Sequence, residues 1–208
     1  MALDLNNEKD LNDKFSDFFS RYKKNIFISI VLFITFYVLT LYISGNNEKK
    51  LFLASNMYQK VLLTKNIIDA DVIVSELKHN FKDTPYASRS AIFLGNLYSK
   101  EKKYDIAKDN YIWAMQNAIE PSLKSLSHYQ LGINYYLLED YKSALQEANK
   151  IEDGGFIGLK NYLLGDIYLK MNNKKEALKS YQITFDYYVD KNDLAKVVKT
   201  KIDAISQE

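Results

Sequence analysis

The sequence predicts an all-α chain: paired helices stacked into a solenoid behind one membrane-spanning helix. Three observations carry this. Residues 26–43 form an apolar run without a charge, and the word Leu-Gly-x-x-Tyr returns three times further on. Only two prolines and seven glycines punctuate 208 residues rich in lysine and tyrosine, a composition that favours helices over sandwiches or barrels. The length allows one globular domain plus an appendage. A net charge of +2, with acids and bases interspersed, offers no broad basic surface for nucleic acid. The absence of cysteine excludes disulfides, thiolate zinc sites, thiol catalysis and a lipoprotein-type anchor.

The first element is the span. With Asn25 and Ser44-Gly45 at its ends, the uncharged stretch covers residues 25–45, and about 20 helical residues match the roughly 30 Å of bilayer hydrocarbon. Its threonines and serine can bond back to their own helix. A buried core helix is the alternative; a cleaved signal peptide does not fit so long a run without a small-x-small site. Arg21, Lys23 and Lys24 crowd the leading flank, with Lys14 behind them, whereas Lys49 and Lys50 beyond the span are partly offset by Glu48. The positive-inside bias then places the amino terminus in the cytoplasm and, in a bacterium, residues 46–208 in the periplasm. Within the leader, 1–24, Leu5, Leu11, Phe15, Phe18, Phe19 and Tyr22 recur at helical spacing, which predicts an amphipathic helix at the cytoplasmic interface.

The repeats come next. Leu94-Gly95…Tyr98, Leu131-Gly132…Tyr135 and Leu164-Gly165…Tyr168 are separated by 37 and 33 residues, bracketing the period of about 34 of tetratricopeptide repeats. Twelve positions after each glycine stands an alanine, Ala107, Ala144 and Ala177; sixteen after it stand Tyr111, Ala148 and Tyr181. Such repeats are antiparallel helix pairs. Glycine inside a helix costs about 1 kcal/mol relative to alanine, so a close helix contact against the small alanine must compensate. The predicted fold is therefore a tetratricopeptide-repeat-like α-solenoid preceded by one transmembrane helix. Pro121 is expected to end the first repeat's second helix.

Residues 48–83 read as a degenerate pair. Leu51, Ala54, Met57, Tyr58, Val61 and Leu62 mark one helix; Ile68, Val72, Leu77 and Phe81 mark the next, stopped by Thr84-Pro85. From Asp193 to Ile205 an amphipathic segment with Leu194, Val197, Val198, Ile202 and Ile205 is the expected capping helix.

An amino-terminal span preceded by Phe18-Phe19 and followed by about four helical pairs resembles the YfgM family, the ancillary subunits of the bacterial Sec translocon. The motifs that carry this are Asp153-Gly154-Gly155-Phe156, Gly165-Asp166, Asn173-Lys-Lys-Glu-Ala177, Lys199-Thr-Lys-Ile-Asp-Ala-Ile205 and, more weakly, Tyr86-Ala87-Ser88. The resemblance covers nearly the whole chain, and its distinctive part is the carboxy-terminal half. It implies an inner-membrane protein with a periplasmic repeat domain, associated with a SecYEG-type channel and a PpiD-type membrane chaperone, and helping to hand over translocating polypeptides. The competing reading is an adaptor for cell division, pilus or outer-membrane assembly. A small-ligand or peptidoglycan sensor is a third.

In a stack the first helices line the inner face. Positions there free of packing duty lie six and three residues before each glycine, and one and four after it. They read Arg89, Ile92, Asn96 and Ser99; Leu126, Tyr129, Ile133 and Tyr136; Leu159, Tyr162, Asp166 and Leu169. The second and third sets are mostly apolar and aromatic and suit an amphipathic or extended segment. The alternative is that the capping helix covers this surface from within.

No residues argue for catalysis, a cofactor or a metal. His128 sits in a packing slot of its repeat, and His79 has no second histidine at ligand spacing. Glu139-Asp140 and Glu152-Asp153 fall in turns, where carboxylates cap helices. Gly154-Gly155 is a turn and not a phosphate cradle.

Overall fold

The computed structural model describes residues 5–189 and 193–207, with side chains given for Ser16 and from Phe18 onward. The described residues contain helices and no strand. They divide into two compact units, Met1–Lys50 and Leu51–Glu208.

The first unit holds most of α1 (Leu5–Leu63). From Phe27 to Ile43 its large apolar side chains are exposed, and the best 18-residue window reaches a mean hydropathy of 2.5. By length and composition this helix can cross a membrane. Thr35 Oγ1 donates to the Val31 carbonyl at 2.8 Å and Thr40 Oγ1 to that of Tyr37 at 2.7 Å, so neither hydroxyl stands bare in hydrocarbon. Phe18, Phe19 and Tyr22 are exposed; the side chains of Leu5, Leu11 and Phe15 lie outside the described residues.

The second unit begins with the end of α1, which buries Ala54 and Val61, and continues through α2 (Ile67–Asn80), α3 (Pro85–Lys100) and α4 (Tyr104–Asn117). Then follow α5 (Pro121–Leu137), α6 (Tyr141–Asn149), α7 (Ile157–Lys170), α8 (Lys174–Tyr188) and α9 (Leu194–Ser206). The pairs are α3/α4, α5/α6 and α7/α8, as the glycine words predict. The inner helices α3, α5 and α7 touch in sequence, and α9 packs on α8 as α5 packs on α4.

Several expectations need correction. Both prolines open helices: Pro85 and Pro121 stand at the starts of α3 and α5, where the missing N–H is harmless, and α4 has already ended at Asn117. On α2 the buried stripe is Ala70, Val74 and Leu77. Ile68 and Val72, two positions out of register with it, are 68% and 65% exposed, because α2 packs mainly on α3. Leu51 and Leu62 are exposed as well, and on α9 Val197 is exposed while Ala195 is buried.

The repeat glycines are close-contact sites. A Cβ on Gly95 would lie 2.5 Å from the Tyr111 ring, and one on Gly165 2.4 Å from the Tyr181 ring. On Gly132 it would meet Leu163 at 3.0 Å and the α6 backbone at 3.5 Å. Ala107, Ala144 and Ala177 are fully buried, and it is the Ala144 carbonyl that faces Gly132, whereas tyrosine rings and not the alanines lie nearest Gly95 and Gly165. Each pair also closes with the same turn. Seven positions after the glycines, Lys102, Glu139 and Asn172 take positive φ of 58°, 61° and 62°. The next residue's N–H then reaches the carbonyl of the repeat tyrosine, Tyr98, Tyr135 or Tyr168, at 2.9–3.0 Å. Asp140 and Asn173 cap the second helices, accepting from the N–H of Ser143 and Glu176.

Candidate protein-binding face

The inner-face positions fall into two patches. In the first, Arg89, Ile92 and Asn96 on α3 meet Leu126 on α5. With Tyr58, Phe93 and Leu123 they line a cleft of about 290 Å³. Arg89 is held by a two-pronged ion pair to Glu120, 2.9 and 3.2 Å long, and lies 5.9 Å from the Tyr86 ring centre. Ile92 is 4% exposed, so it serves as floor and core rather than as a free contact. Asn96 accepts the Tyr111 hydroxyl at 2.7 Å, a packing duty the spacing argument did not assign it.

The second patch joins α5, α7 and α9. Tyr129, Ile133 and Tyr136 are half-buried, and Tyr136 lies 5.7 Å from Tyr141, ring centre to centre. Burial, reinforced by Tyr162, Tyr188 and Asp166, pushes the Tyr129 phenol up to about 12. Burial also raises that of Tyr136. Asp166 accepts the Tyr181 hydroxyl at 2.5 Å and pairs with Lys201 of α9. The Lys201 ammonium sits 4.6 Å from the Tyr162 ring centre and 5.3 Å from that of Tyr181. Burial alone would lower the ammonium's pKa, but the Asp166 carboxylate and Tyr162 hydroxyl raise it above its ordinary value. The cap therefore covers Tyr162 and Asp166 through one lysine while packing mainly on α8. Leu169 remains 37% exposed.

Spacing missed Tyr58, Phe93, Leu123 and Lys201. Tyr58 lies on a helix without the glycine word, and Lys201 lies 35 residues from Asp166, beyond any local periodicity.

Three glycine-centred hairpins in phase, with a capping helix behind them, fit one family. The family model for a tetratricopeptide repeat-like domain matches residues 16–207. The chain belongs to that family. Two relatives sharpen the picture, both called ancillary SecYEG translocon subunit. That of Aggregatibacter actinomycetemcomitans is 29% identical over 106 residues, so the chain spans about half of that protein's length, 52%, using 51% of its own. That of Buchnera aphidicola is 21% identical over 195 residues, covering 89% of this chain and 97% of the relative.

Proposed function

We propose that this chain is a membrane-anchored, non-enzymatic repeat scaffold associated with a SecYEG-type channel. The observation that carries the reading is its similarity, over most of its length, to a protein named for that role. The apolar helix supplies the anchor. The charge asymmetry around residues 25–45 supports a cytoplasmic leader, 1–24, and a periplasmic repeat domain, 46–208, in a bacterial inner membrane. The inner face supplies a surface for polypeptide. Arg89 and Lys201 there are paired with Glu120 and Asp166, so what the face offers a partner is tyrosine and aliphatic area. A PpiD-type chaperone and translocating polypeptides are the further partners of this reading, the scaffold assisting their handover.

Copurification of the full chain in mild detergent tests it. Channel subunits and a membrane chaperone are the expected companions; septal, pilus or outer-membrane assembly proteins would replace this reading with the adaptor reading. A photoreactive residue at Tyr129 or Ile133 should crosslink to exported chains. Crosslinks confined to the protein's own carboxy terminus would remove the inner face from the proposal.

A further inference from the structure

The middle repeat differs from its neighbours in one dimension. Helix α6 has nine residues, against 14 in α4 and 15 in α8. After Asn149 the chain turns away and is tied down: the Asp153 N–H donates to Ser125 Oγ at 3.2 Å, and Lys160 Nζ to the Ile151 carbonyl at 2.9 Å. Beside this turn, where α4 ends and α5 begins, lies a cavity of about 810 Å³ whose wall includes Met115, Pro121, Ser125, His128 and Glu152.

His128 is 6% exposed, and its Nδ1 lies 2.7 Å from Glu147 Oε2, while Glu147 Oε1 accepts Lys150 Nζ at 2.7 Å. Burial would raise the Glu147 carboxyl, but the bonds from His128 and Lys150 hold it below the usual range. An ionised carboxylate only accepts, so Nδ1 carries the proton. His128 is part of the cavity wall, and in the neutral ring Nε2 is then the acceptor, with no partner among the described residues. One turn earlier on the same side of α5, buried Ser125 uses its oxygen to accept from Asp153, which leaves its hydroxyl proton to donate. The charges around the cavity balance, Lys124 and Lys150 against Glu152 and Asp153. That disfavours a phosphate or a polyamine.

An acceptor and a donor side by side in a neutral, partly apolar cavity match the backbone of an extended residue, which presents its own N–H and C=O on one side. We infer that this cavity binds an extended, uncharged polypeptide segment of a protein partner, with one residue's N–H on His128 Nε2 and its C=O on Ser125 Oγ. Leu126, Tyr129 and Ile133 do not line this cavity, so variants there test the inner face separately.

The test is nitrogen NMR of the full chain in detergent micelles, labelled at histidine. His79, exposed on α2, serves as internal control. The free protein should show His128 protonated at Nδ1. Adding acetyl-Val-Thr-Val-amide should move the His128 Nε2 signal to saturation and leave His79 still. Ser125→Ala should weaken this binding about tenfold. Gln116→Trp, an exposed change at the cavity wall, should abolish it with the rest of the spectrum intact. A proton on Nε2 in the free protein, no saturable movement at millimolar peptide, a response to inorganic phosphate instead, or undiminished binding in both variants would each overturn the inference.

Discussion

In the first and third repeats the glycine receives an aromatic ring; in the middle repeat it receives a leucine side chain and the edge of a helix backbone. The two solutions are legible as paired choices. Where the position sixteen after the glycine is tyrosine, the position one after it is Asn96 or Asp166, which accepts the buried phenol. Where it is Ala148, that position is Ile133, and nothing polar needs a partner. The same word therefore encodes two contacts, one filled by a ring held at both ends and one closed by helix approach. The difference teaches that a repeat glycine is defined by what faces it and not by its own conformation, since no glycine here takes a positive φ.

Leucine should erase the distinction. At Gly165 it would collide with the Tyr181 ring, and at Gly132 with Leu163 backed by the Ala144 carbonyl. Either substitution should cost more than about 4 kcal/mol and melt the repeat unit. The check is loss of cooperative thermal unfolding of the full chain in detergent, followed by circular dichroism. An unchanged melting temperature in either variant would show that the pairs do not interlock through these residues.

Alanine should reveal it. In Gly95→Ala and Gly165→Ala the new methyl meets a ring whose hydroxyl is anchored, so overpacking should outweigh the gain in helix propensity, for a net loss of about 1–3 kcal/mol. In Gly132→Ala the obstacle at 3.0 Å is the end of Leu163, which can shift, and the net change should stay within about 0.5 kcal/mol. Urea midpoints measure all three, and Trp113 fluorescence reports on the first repeat from α4. Equal losses at the three sites would break the comparison.

The rings also leave a signature in pH. Burial pushes the Tyr111 phenol up to about 12, and burial together with the Asp166 bond drives that of Tyr181 higher still. A pKa raised on folding contributes stability that is complete below the unfolded value near 10 and is lost as pH rises through the folded one. Between pH 10 and 12 the intact protein should lose on the order of 2 kcal/mol through Tyr111. Tyr111→Phe should be about 1 kcal/mol weaker at neutral pH and flatter above pH 10. Ala148 contributes no such slope. Melting curves across pH 8–12 decide the matter, and a Tyr111→Phe variant as alkali-sensitive as the parent would contradict it.

What the sequence made legible follows from range. Glycine, alanine and tyrosine slots recur within one pair, so a single phase finds them, and with them α3 to α8. The cap was visible as an amphipathic segment. The candidate site was only half visible. Spacing put Tyr129, Ile133 and Tyr136 on one face of α5, where all three are half-buried, yet gave Ile92 to the surface although it is buried in the core. It gave Ile68 and Val72 to the core, because both faces of α2 carry branched residues and only contact with α3 chooses between them. The His128–Glu147 bond spans 19 residues between two helices, and no motif announces it.

One recurrence hid because its residue types differ. Lys102, Glu139 and Asn172 hold the same left-handed turn, a conformation that costs a side-chained residue about 1–2 kcal/mol and asparagine less. All three repeats share this geometry, so it separates turn chemistry from the glycine contacts that distinguish them. Lys102→Gly and Glu139→Gly should each stabilise the repeat unit by about 0.5–1 kcal/mol, the relief of strain being partly offset by the looser unfolded chain. Asn172→Gly should change it by no more than a few tenths. Urea midpoints resolve differences of this size when compared at a common slope. A gain at Asn172 equal to that at Glu139 would mean that the turns are strained by something other than the side chain they carry.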